Sequence, residues 1–306
     1  MIDGTGGLQS RPGCASSAAA RNLRHCDQAE FNAIYCSILI SIARLQEASM
    51  LTQTAFPEER QQRIRARLAE RGRVLAVELA EEFGVSEHTI RRDLGDLVAA
   101  GVCKRVYGGA VVVSPAGGDI ARRSVENTDA KDALGRGGAA LMRAGQCVFL
   151  DAGTTNLAIA RLIDPNLALT VATNSPAIAQ VLMASKEVIL LGGRINPATG
   201  GALGVTAVQQ LQQMYFDQCF LGVCALDARE GLSVFEFDDA EFKRAAIARS
   251  GHVSLAVTSE KLSSIARYAV ASSEQVGTVV VEHDAPEERL ASLRDAGIDV
   301  VIAPGG

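Results

Sequence analysis

A segment near residue 90 carries side chains suited to contacts with nucleic acid. Residues 86–94 read SEHTIRRDL, and apolar residues recur at the spacing of one helix face, at Ile90, Leu94, Leu97 and Val98. At about 100° per residue, His88 and Arg92 lie on the opposite face. Thr89 and Arg91 flank them. Because such side chains bind phosphate oxygens and base edges, the segment predicts a DNA-recognition helix.

The preceding residues predict two further helices and a tight turn. A proline followed by two glutamates suits the first turn of a helix at Pro57. Apolar residues mark the second helix at Ala76, Leu79, Ala80 and Phe83. Gly84 ends that helix, Ser86 caps the recognition helix, and Gly101 closes it. This order is typical of a helix-turn-helix, which we place at residues 74–93.

A hairpin pattern follows the recognition helix. The stretch VCKRVYGGAVVV at 102–113 predicts two short strands joined at Gly108-Gly109, which completes a winged helix-turn-helix domain over residues 57–112. The predicted DNA contacts come from the cap, the helix and the wing, at Ser86, His88, Thr89, Arg91, Arg92, Lys104, Arg105 and Tyr107. The alternative is a surface helix stabilised by a pair such as Arg92 and Asp96, which leaves the hairpin unexplained.

The rest of the chain alternates between apolar strands and helical patterns. The stretch SPAGGD indicates a linker, which we place at 113–128. Strands are predicted at 147–151, 167–173, 188–191, 219–223, 253–257, 278–281 and 299–303, and helices at 129–143, 156–163, 176–184, 204–214, 239–249 and 286–296. This alternation predicts a larger C-terminal α/β domain over residues 129–306, with a mostly parallel sheet covered on both faces.

Polar and glycine-rich loops follow the first three of these strands. The residues are Asp151, Gly153, Thr154 and Thr155 in the first loop, Thr173 and Asn174 in the second, and Gly192 and Gly193 in the third. In open α/β sheets, ligands bind outside the carboxyl ends of the strands, where helix amides hold phosphate groups. We therefore predict one pocket for a small anionic ligand. The alternative is ordinary loop chemistry, since these residue types also form turns and caps.

Taken together, these motifs resemble the DeoR family of bacterial transcriptional regulators. The matching residues are Arg60, VSEHTIRRDL (85–94), GVCKRVYGGA (101–110), DAGTTN (151–156), ATNSPA (172–177), LLGGR (190–194) and AEFKRAAI (240–247), within residues 57–304. The resemblance implies a C-terminal sensor domain, similar to sugar-phosphate isomerases, for a phosphorylated sugar or related metabolite. It also implies a homo-oligomer that binds double-stranded operator DNA and represses carbohydrate-metabolism genes until the effector binds.

The resemblance adds two lysines to the predicted ligand contacts. Lys243 and Lys261 become partners for phosphate or hydroxyl groups, and the alternative for each is a solvated surface lysine. Many members of the family carry an alanine-aspartate-x-serine-lysine-phenylalanine stretch where this chain reads AVTSEKL at 256–262. The lysine is present as Lys261 but the aspartate is absent, which removes support for a ligand-binding carboxylate at that position.

Two enzymatic functions are the alternatives to a regulator. Isomerisation of a sugar phosphate needs a positioned general base, for which the acidic candidates are Asp151, Asp227, Glu236 and Glu241. No constellation in the sequence marks any of them as catalytic, and His88 and His252 stand alone. A nucleotide-dependent enzyme is disfavoured because LLGGR lacks the spacing of a phosphate-binding glycine loop. We therefore expect no catalytic residues and no cofactor.

Composition agrees with a DNA-binding protein of about two domains. The chain has 306 residues, of which 48% are hydrophobic, and a formal net charge of −5. The acidic excess lies in residues 114–306, whereas residues 56–113 are nearly balanced in charge. Since only the docking face has to be basic, an acidic second domain does not argue against DNA binding.

Cysteine and apolar patterns indicate the compartment. The seven cysteines form no CxxC pair, which argues against a disulfide framework and a metal site and favours a reducing environment. Apolar runs fall well short of the roughly 20 residues that a membrane-spanning helix needs. We therefore expect a cytoplasmic protein that has no membrane partner.

The first residues match neither predicted domain. We interpret residues 1–56 as an N-terminal extension. One hypothesis is that Met50 is the natural start and the preceding residues are not native. The other is a short helix or a disordered tail.

Overall fold

The computed structural model describes residues 56–117 and 120–305. The hypotheses on the N-terminal extension concern residues that lie outside these ranges, apart from Phe56. The described residues form a smaller N-terminal domain and a larger C-terminal α/β domain, and each is given below from its own elements.

The N-terminal domain consists of three helices and three strands. The helices are α1 (Pro57–Arg71), α2 (Ala76–Phe83) and α3 (Glu87–Ala99), and the strands are β1 (Arg73–Leu75), β2 (Cys103–Val106) and β3 (Gly109–Val113). The apolar positions that predicted the helices form one core, in which Ile64, Leu68, Leu79, Ile90, Leu94 and Leu97 are buried. The predicted winged helix-turn-helix is therefore confirmed.

The wing differs from its prediction by one residue at the turn. Gly109 already pairs with Val106 in the ladder between β2 and β3, so the turn is Tyr107-Gly108. Gly108 takes a positive φ of 78°, which favours glycine. Gly109 is needed for a different reason, because a Cβ there would lie 1.9 Å from the carbonyl oxygen of Val74 in β1.

The C-terminal domain contains seven helices and thirteen strands among the described residues. The helices are α4 (Ile120–Val125), α5 (Thr128–Ala140), α6 (Thr154–Leu162), α7 (Pro176–Leu182), α8 (Val205–Leu211), α9 (Phe237–Ile247) and α10 (Glu287–Asp295). The strands are β4 (Cys147–Leu150), β5 (Thr170–Thr173), β6 (Glu187–Leu190), β7 (Arg194–Ile195), β8 (Ala202–Leu203), β9 (Gln218–Leu221), β10 (Ala225–Asp227), β11 (Gly231–Val234), β12 (Val253–Ala256), β13 (Ser264–Ile265), β14 (Tyr268–Ala271), β15 (Thr278–Val281) and β16 (Asp299–Ile302).

Seven of these strands form the main sheet, in the order β16-β15-β12-β9-β4-β5-β6. Every neighbouring pair is parallel, and the seven strands are the seven predicted apolar segments. Along β4, Val148 and Leu150 pack in one apolar cluster and Phe149 in another, so both faces of the sheet are covered. The predicted α/β class is confirmed.

The strand order creates a switch point in the middle of the sheet. The chain enters at β4, adds β5 and β6 on one side, and returns through β9 on the other side of β4. Connections that leave neighbouring parallel strands in opposite directions open a crevice at their carboxyl ends. The crevice between β4 and β9 is therefore where this fold offers space for a ligand.

Several short elements were not predicted. They include β1, the β7–β8 pair, the antiparallel sheet β10-β11-β14, and helix α4 within the predicted linker. β13 joins the wing, since Ser264 and Ile265 pair in parallel with Val112 and Val113 of β3. The two domains therefore share one sheet. In the ranges that the structure describes, no helix has the length and apolarity needed to cross a membrane.

A buried ion pair joins α1 to the recognition helix α3. The Nε of Arg60 lies 2.5 Å from Oδ2 of Asp93, and a terminal guanidinium nitrogen lies 3.2 Å from Oδ1. Both side chains are almost fully buried. Such two-pronged pairing fixes the orientation of the two helices as well as their distance.

We predict that Asp93→Ala destabilises the N-terminal domain by about 3–5 kcal/mol, because it removes the counter-charge from a buried guanidinium. Urea unfolding followed by circular dichroism measures this change. Asp96→Ala is the matched control, since that carboxylate is exposed on the same helix and accepts one hydrogen bond from Gln61. We expect the control to cost less than about 1 kcal/mol. Equal losses in the two variants would contradict the assigned role of the pair.

Candidate functional site

The predicted DNA-contacting residues of α3 form an exposed, polar surface. Ser86, His88, Arg91 and Arg92 are exposed, while Thr89 is half-buried. The Ser86 hydroxyl accepts the amide of Thr89 at 3.2 Å and so caps the helix as predicted. Arg91 pairs with Glu87 at 2.8 Å on the surface. The alternative pair of Arg92 with Asp96 is not formed.

The two cations of the wing point in opposite directions, because successive residues of a strand face opposite sides. Arg105 is exposed and donates to the carbonyl of Arg91, next to the recognition helix. Lys104 instead donates to the carbonyl of Ala266 in the C-terminal domain at 3.0 Å, and burial lowers the pKa of its ammonium. Lys104 therefore lies off the face that the other residues form. Tyr107 is almost fully exposed at the wing tip.

A second candidate site lies at the switch point of the sheet. The loop after β4 and the first residues of α6 supply Gly153, Thr154 and Thr155, and the loop after β9 supplies Gly222. A cavity of about 40 Å³ lies between these loops, and Lys243 and Lys261 also line it. The arrangement presents helix amides and ammonium groups to one small space, which suits an anion.

A buried charge cluster forms one wall of this cavity. The ammonium of Lys243 lies 2.7 Å from Oδ2 of Asp151 and 2.5 Å from Oδ1 of Asp239. The same Asp151 oxygen accepts the amide of Gly222 at 2.9 Å. The cluster therefore joins the ends of β4 and β9 to helix α9.

Burial and pairing act in opposite directions on these groups. Burial alone lowers the pKa of Lys243, but the charges of Asp151 and Asp239 outweigh it and raise that pKa above its ordinary value. Burial raises the pKa of Asp239, and the nearby ammonium of Lys243 opposes the rise. Lys243 consequently stays charged, and its charge is shared by two carboxylates.

Lys261 also lines the cavity, but it differs from Lys243 in having no ion pair among the described residues. Burial is the main cause that lowers the pKa of its ammonium; the charges of Arg123 and Lys131 add to this effect, and Cys224 and Glu260 oppose it. Its ammonium forms no hydrogen bond and no ion pair with any residue of the described chain. This lysine therefore offers the cavity an ammonium that no side chain of the described residues binds directly.

The structure separates the predicted ligand contacts into two groups. Gly153, Thr154, Thr155, Lys243 and Lys261 line the cavity, and Asp151 lies behind Lys243. Thr173, Asn174, Gly192 and Gly193 do not line it.

Residues of the second group instead form hydrogen bonds to neighbouring elements of the domain. The hydroxyl of Thr173 donates to the carbonyl of Leu150 at 2.6 Å, and the amide of Gly192 donates to Gln210 at 2.9 Å. The side-chain oxygen of Asn174 accepts the amide of Ala152 at 2.9 Å. Asn174 therefore holds the loop that presents Gly153.

Two charged residues of the cavity escaped the sequence prediction. Asp239 lies four residues before Lys243 on α9, and this i,i+4 spacing of opposite charges was the available signal. Arg123 lies on α4, in the segment predicted as a linker, where no periodic pattern marked it. Its place in the cavity depends on how that segment packs.

The other acidic and histidine candidates lie away from the cavity. Asp227 pairs with Arg73 at 3.0 Å, Glu241 pairs with Arg244, and His252 bonds to Thr278 at 2.9 Å. Glu236 precedes α9 and does not line the cavity. Within the described ranges, no group of histidine, cysteine and acidic side chains is arranged to hold a metal ion.

Comparisons with known proteins match both domains. A family model described as the DeoR C terminal sensor domain matches residues 126–283, and one described as the DeoR-like helix-turn-helix domain matches residues 60–116. The HTH-type transcriptional regulator GlpR of Haloferax volcanii is 31% identical over 249 residues, which cover 80% of this chain and 98% of that protein. The glycerol-3-phosphate regulon repressor of Escherichia coli K12 is 30% identical over 236 residues, 76% of this chain and 94% of that protein.

We predict opposite consequences for the two lysines when each is replaced by methionine. Lys243→Met leaves two buried carboxylates without their shared cation and is expected to cost about 3–5 kcal/mol of folding free energy. Lys261→Met removes a cation that has no carboxylate partner, so its cost is expected to stay below about 1 kcal/mol. Chemical unfolding of the two variants measures both values. A Lys243→Met variant as stable as Lys261→Met would contradict the charge cluster.

Proposed function

Because this chain belongs to the DeoR family of transcriptional regulators, we propose that a phosphorylated sugar or related metabolite in the C-terminal cavity controls its binding to operator DNA. The proposal includes repression of carbohydrate-metabolism genes and a cytoplasmic location. One relative is named for the glycerol-3-phosphate regulon. Glycerol 3-phosphate is a phosphorylated polyol, and this name supports the proposed class of ligand. The single observation that carries the proposal is the charged cavity at the sheet's switch point.

Recognition of DNA is assigned to α3 and the tip of the wing. His88, Arg91 and Arg92 project from α3, and the capped N-terminus of that helix suits a phosphate group. Arg105 and Tyr107 extend the same surface. We propose that two copies in a homo-oligomer place their α3 helices in successive major grooves, as two-fold operators require.

Binding of the effector is assigned to the cavity. The amides and hydroxyls at Gly153, Thr154 and Thr155 lie at the N-terminus of α6, where the helix dipole favours a phosphate. Lys261 supplies an ammonium that forms no ion pair with a carboxylate among the described residues, although Glu260 lies close enough for its charge to act on it. Lys243, oriented by Asp151, completes the polar lining. This combination favours an anionic ligand that also carries hydroxyl groups.

Two short paths connect the cavity to the wing. Lys261 precedes β13, which pairs with the end of β3. The hydroxyl of Ser114, just after β3, donates to the carbonyl of Cys224, and Cys224 lines the cavity. We propose that the ligand favours one position of β13 and Cys224, and thereby one position of the wing. Only such a difference in affinity between two arrangements can transmit binding.

We propose no enzymatic activity for the cavity. An isomerase base has to accept a proton from the substrate. Asp151 and Asp239 are the nearest carboxylates, and the ammonium of Lys243 is bonded to both of them. Because both carboxylates belong to this buried ion-pair cluster, we assign them a structural role and no role as a base.

We predict that Arg92→Ala weakens operator binding by about 1–3 kcal/mol if Arg92 contacts a base. Fluorescence anisotropy with a labelled operator at one fixed salt concentration measures the affinity, since phosphate contacts depend on salt. Arg143→Ala is the control, because Arg143 is an exposed arginine of the C-terminal domain. Wild-type affinity in Arg92→Ala would reject the assigned role.

We predict that Thr154→Val impairs the response to effector while operator binding without effector stays normal. The measurement is release of the operator during titration with a panel of sugar phosphates that includes glycerol 3-phosphate. Loss of a hydrogen bond to a charged ligand is expected to raise the concentration for half-release by roughly tenfold. Thr206→Val, in the exposed first turn of α8, is the control. Equal responses of the two variants would count against the cavity.

A further inference from the structure

The outer faces of α8 and α9 line a groove on the surface of the C-terminal domain. Its volume is about 700 Å³. On each helix the lining positions recur every three or four residues, so each helix contributes one face to the groove. The lining residues are Gly204, Val205, Val208, Gln209, Gln212, Phe237, Asp238, Glu241, Arg244 and Ala245.

Two large apolar side chains of the groove face solvent. Val205 is 73% exposed and Phe237 is 54% exposed. The ring of Phe237 packs edge-on against Tyr268, with 5.5 Å between the ring centroids, and leaves its other side open. Large apolar side chains that line a concave surface are typical of a contact site for another macromolecule. The groove is therefore a candidate interaction surface.

The charges in and beside the groove are balanced. Asp238 pairs with Arg194 of β7 at 3.2 Å, and Glu241 pairs with Arg244 along α9. A nucleic acid or a strongly acidic protein fits a surface of a single sign, and this surface carries both signs in equal number. In a two-fold contact the same patch lies on both sides, so a patch of mixed charge places its acids opposite the partner's bases. Charge complementarity therefore favours a second copy of this chain.

Helix α9 separates the groove from the effector cavity. Asp239 and Lys243 lie on its buried face, where they belong to the charge cluster beside the cavity. Glu241 and Arg244 lie on the face that lines the groove. A molecule seated in the groove therefore contacts the helix that holds Lys243 in place on its other side.

We propose that this groove is the contact between two copies of the chain, in which the α8–α9 faces of both copies pack against each other around a two-fold axis. The inference rests on the proposed function, which includes a homo-oligomer, and adds to it the surface through which the copies meet. Val205 and Phe237 lose their exposure in this contact, and the carboxylates of one copy face the guanidinium groups of the other. The effector cavity of each copy then lies directly behind the contact.

The first test measures the dissociation constant between copies by sedimentation equilibrium of the full chain at fixed ionic strength. Val205→Glu is compared with Met183→Glu, which makes the same change at a side chain that is 70% exposed at the end of α7, outside the groove. We expect Val205→Glu to raise the dissociation constant roughly tenfold or more, because it places a carboxylate among apolar side chains of the contact. Met183→Glu is expected to associate like wild type. Circular dichroism establishes that both variants are folded.

A second test separates a broken contact from a misfolded chain. Glu241→Arg gives the groove an excess of positive charge, and Arg244→Glu gives it an excess of negative charge. In each variant alone the two-fold contact brings like charges together, so we expect the dissociation constant to rise roughly tenfold or more. When the two variants are mixed in equal amounts, opposite charges face each other and the pair is expected to associate nearly as tightly as wild type. Mixing cannot rescue a chain that has failed to fold.

The results that overturn the inference are distinguishable from a failure of the proposed function. If Val205→Glu associates as tightly as wild type, or if Met183→Glu dissociates instead, the copies meet at another surface and the homo-oligomer stands. If Val205→Glu keeps the wild-type mass but unfolds at a lower temperature, the groove is covered by a segment of the same chain. If the folded charge variants do not associate when mixed, the two-fold contact is rejected. If wild type sediments as a single chain at every concentration used for operator binding, the homo-oligomer is rejected together with this inference, while the effector response is judged separately by Thr154→Val.

Discussion

The buried ammonium of Lys243 joins three elements that the chain brings together from distant positions. It bonds to Asp151 at the end of β4 and to Asp239 on its own helix α9, and Asp151 also accepts the amide of Gly222 after β9. Removing such a cation would leave two carboxylates with no counter-charge in a water-poor environment, which is among the costliest changes in a protein interior. The position of the β4 and β9 loops, and hence the shape of the crevice between them, depends on this cluster.

Around this ion-pair cluster lie three cations that form no ion pair with a carboxylate among the described residues. Lys261, Arg123 and Lys131 converge on the same space from the loop after β12, from α4 and from α5. Lys243 is paired with two carboxylates and therefore has a structural role. The cations near it form no such pair, so they are the ones that a ligand could use. That contrast, more than the presence of glycine-rich loops, supports an anion-binding role for the crevice.

The domains are connected by more than a linker. β13 extends the wing sheet, Lys104 donates to Ala266, and Arg289 bonds both to carbonyls at the end of α1 and to carbonyls beside Lys261. Gly72 at the start of β1 approaches Ser263 so closely that a Cβ would lie 2.2 Å from the Ser263 carbonyl oxygen. The wing therefore cannot move independently of the loop that carries Lys261. This continuity supports the proposed route from a ligand in the crevice to the DNA-binding face.

Local patterns in the sequence were sufficient for the elements that depend on nearby residues. The apolar spacing around Ile90 and Leu94, the cap at Ser86 and the seven apolar runs of the main sheet predicted a winged helix-turn-helix and a parallel α/β domain. These features follow from helix and strand periodicity, which a single segment expresses by itself. Short strands such as β1 and β13 have too few residues to express a period, and they exist because a partner strand from another part of the chain completes their hydrogen bonds.

The roles of the residues in the candidate site also depend on contacts between distant parts of the chain. The sequence by itself determined that polar loops end the strands and that Lys243 and Lys261 are present. Only the tertiary structure decided that Thr173 and Asn174 bond to neighbouring strands, that Lys104 faces the C-terminal domain, and that Arg123 reaches the crevice. The physical reason is that the role of a charged or polar side chain depends on which groups it meets and how much water remains around them. Those quantities are set by packing across long sequence separations and not by the residue type.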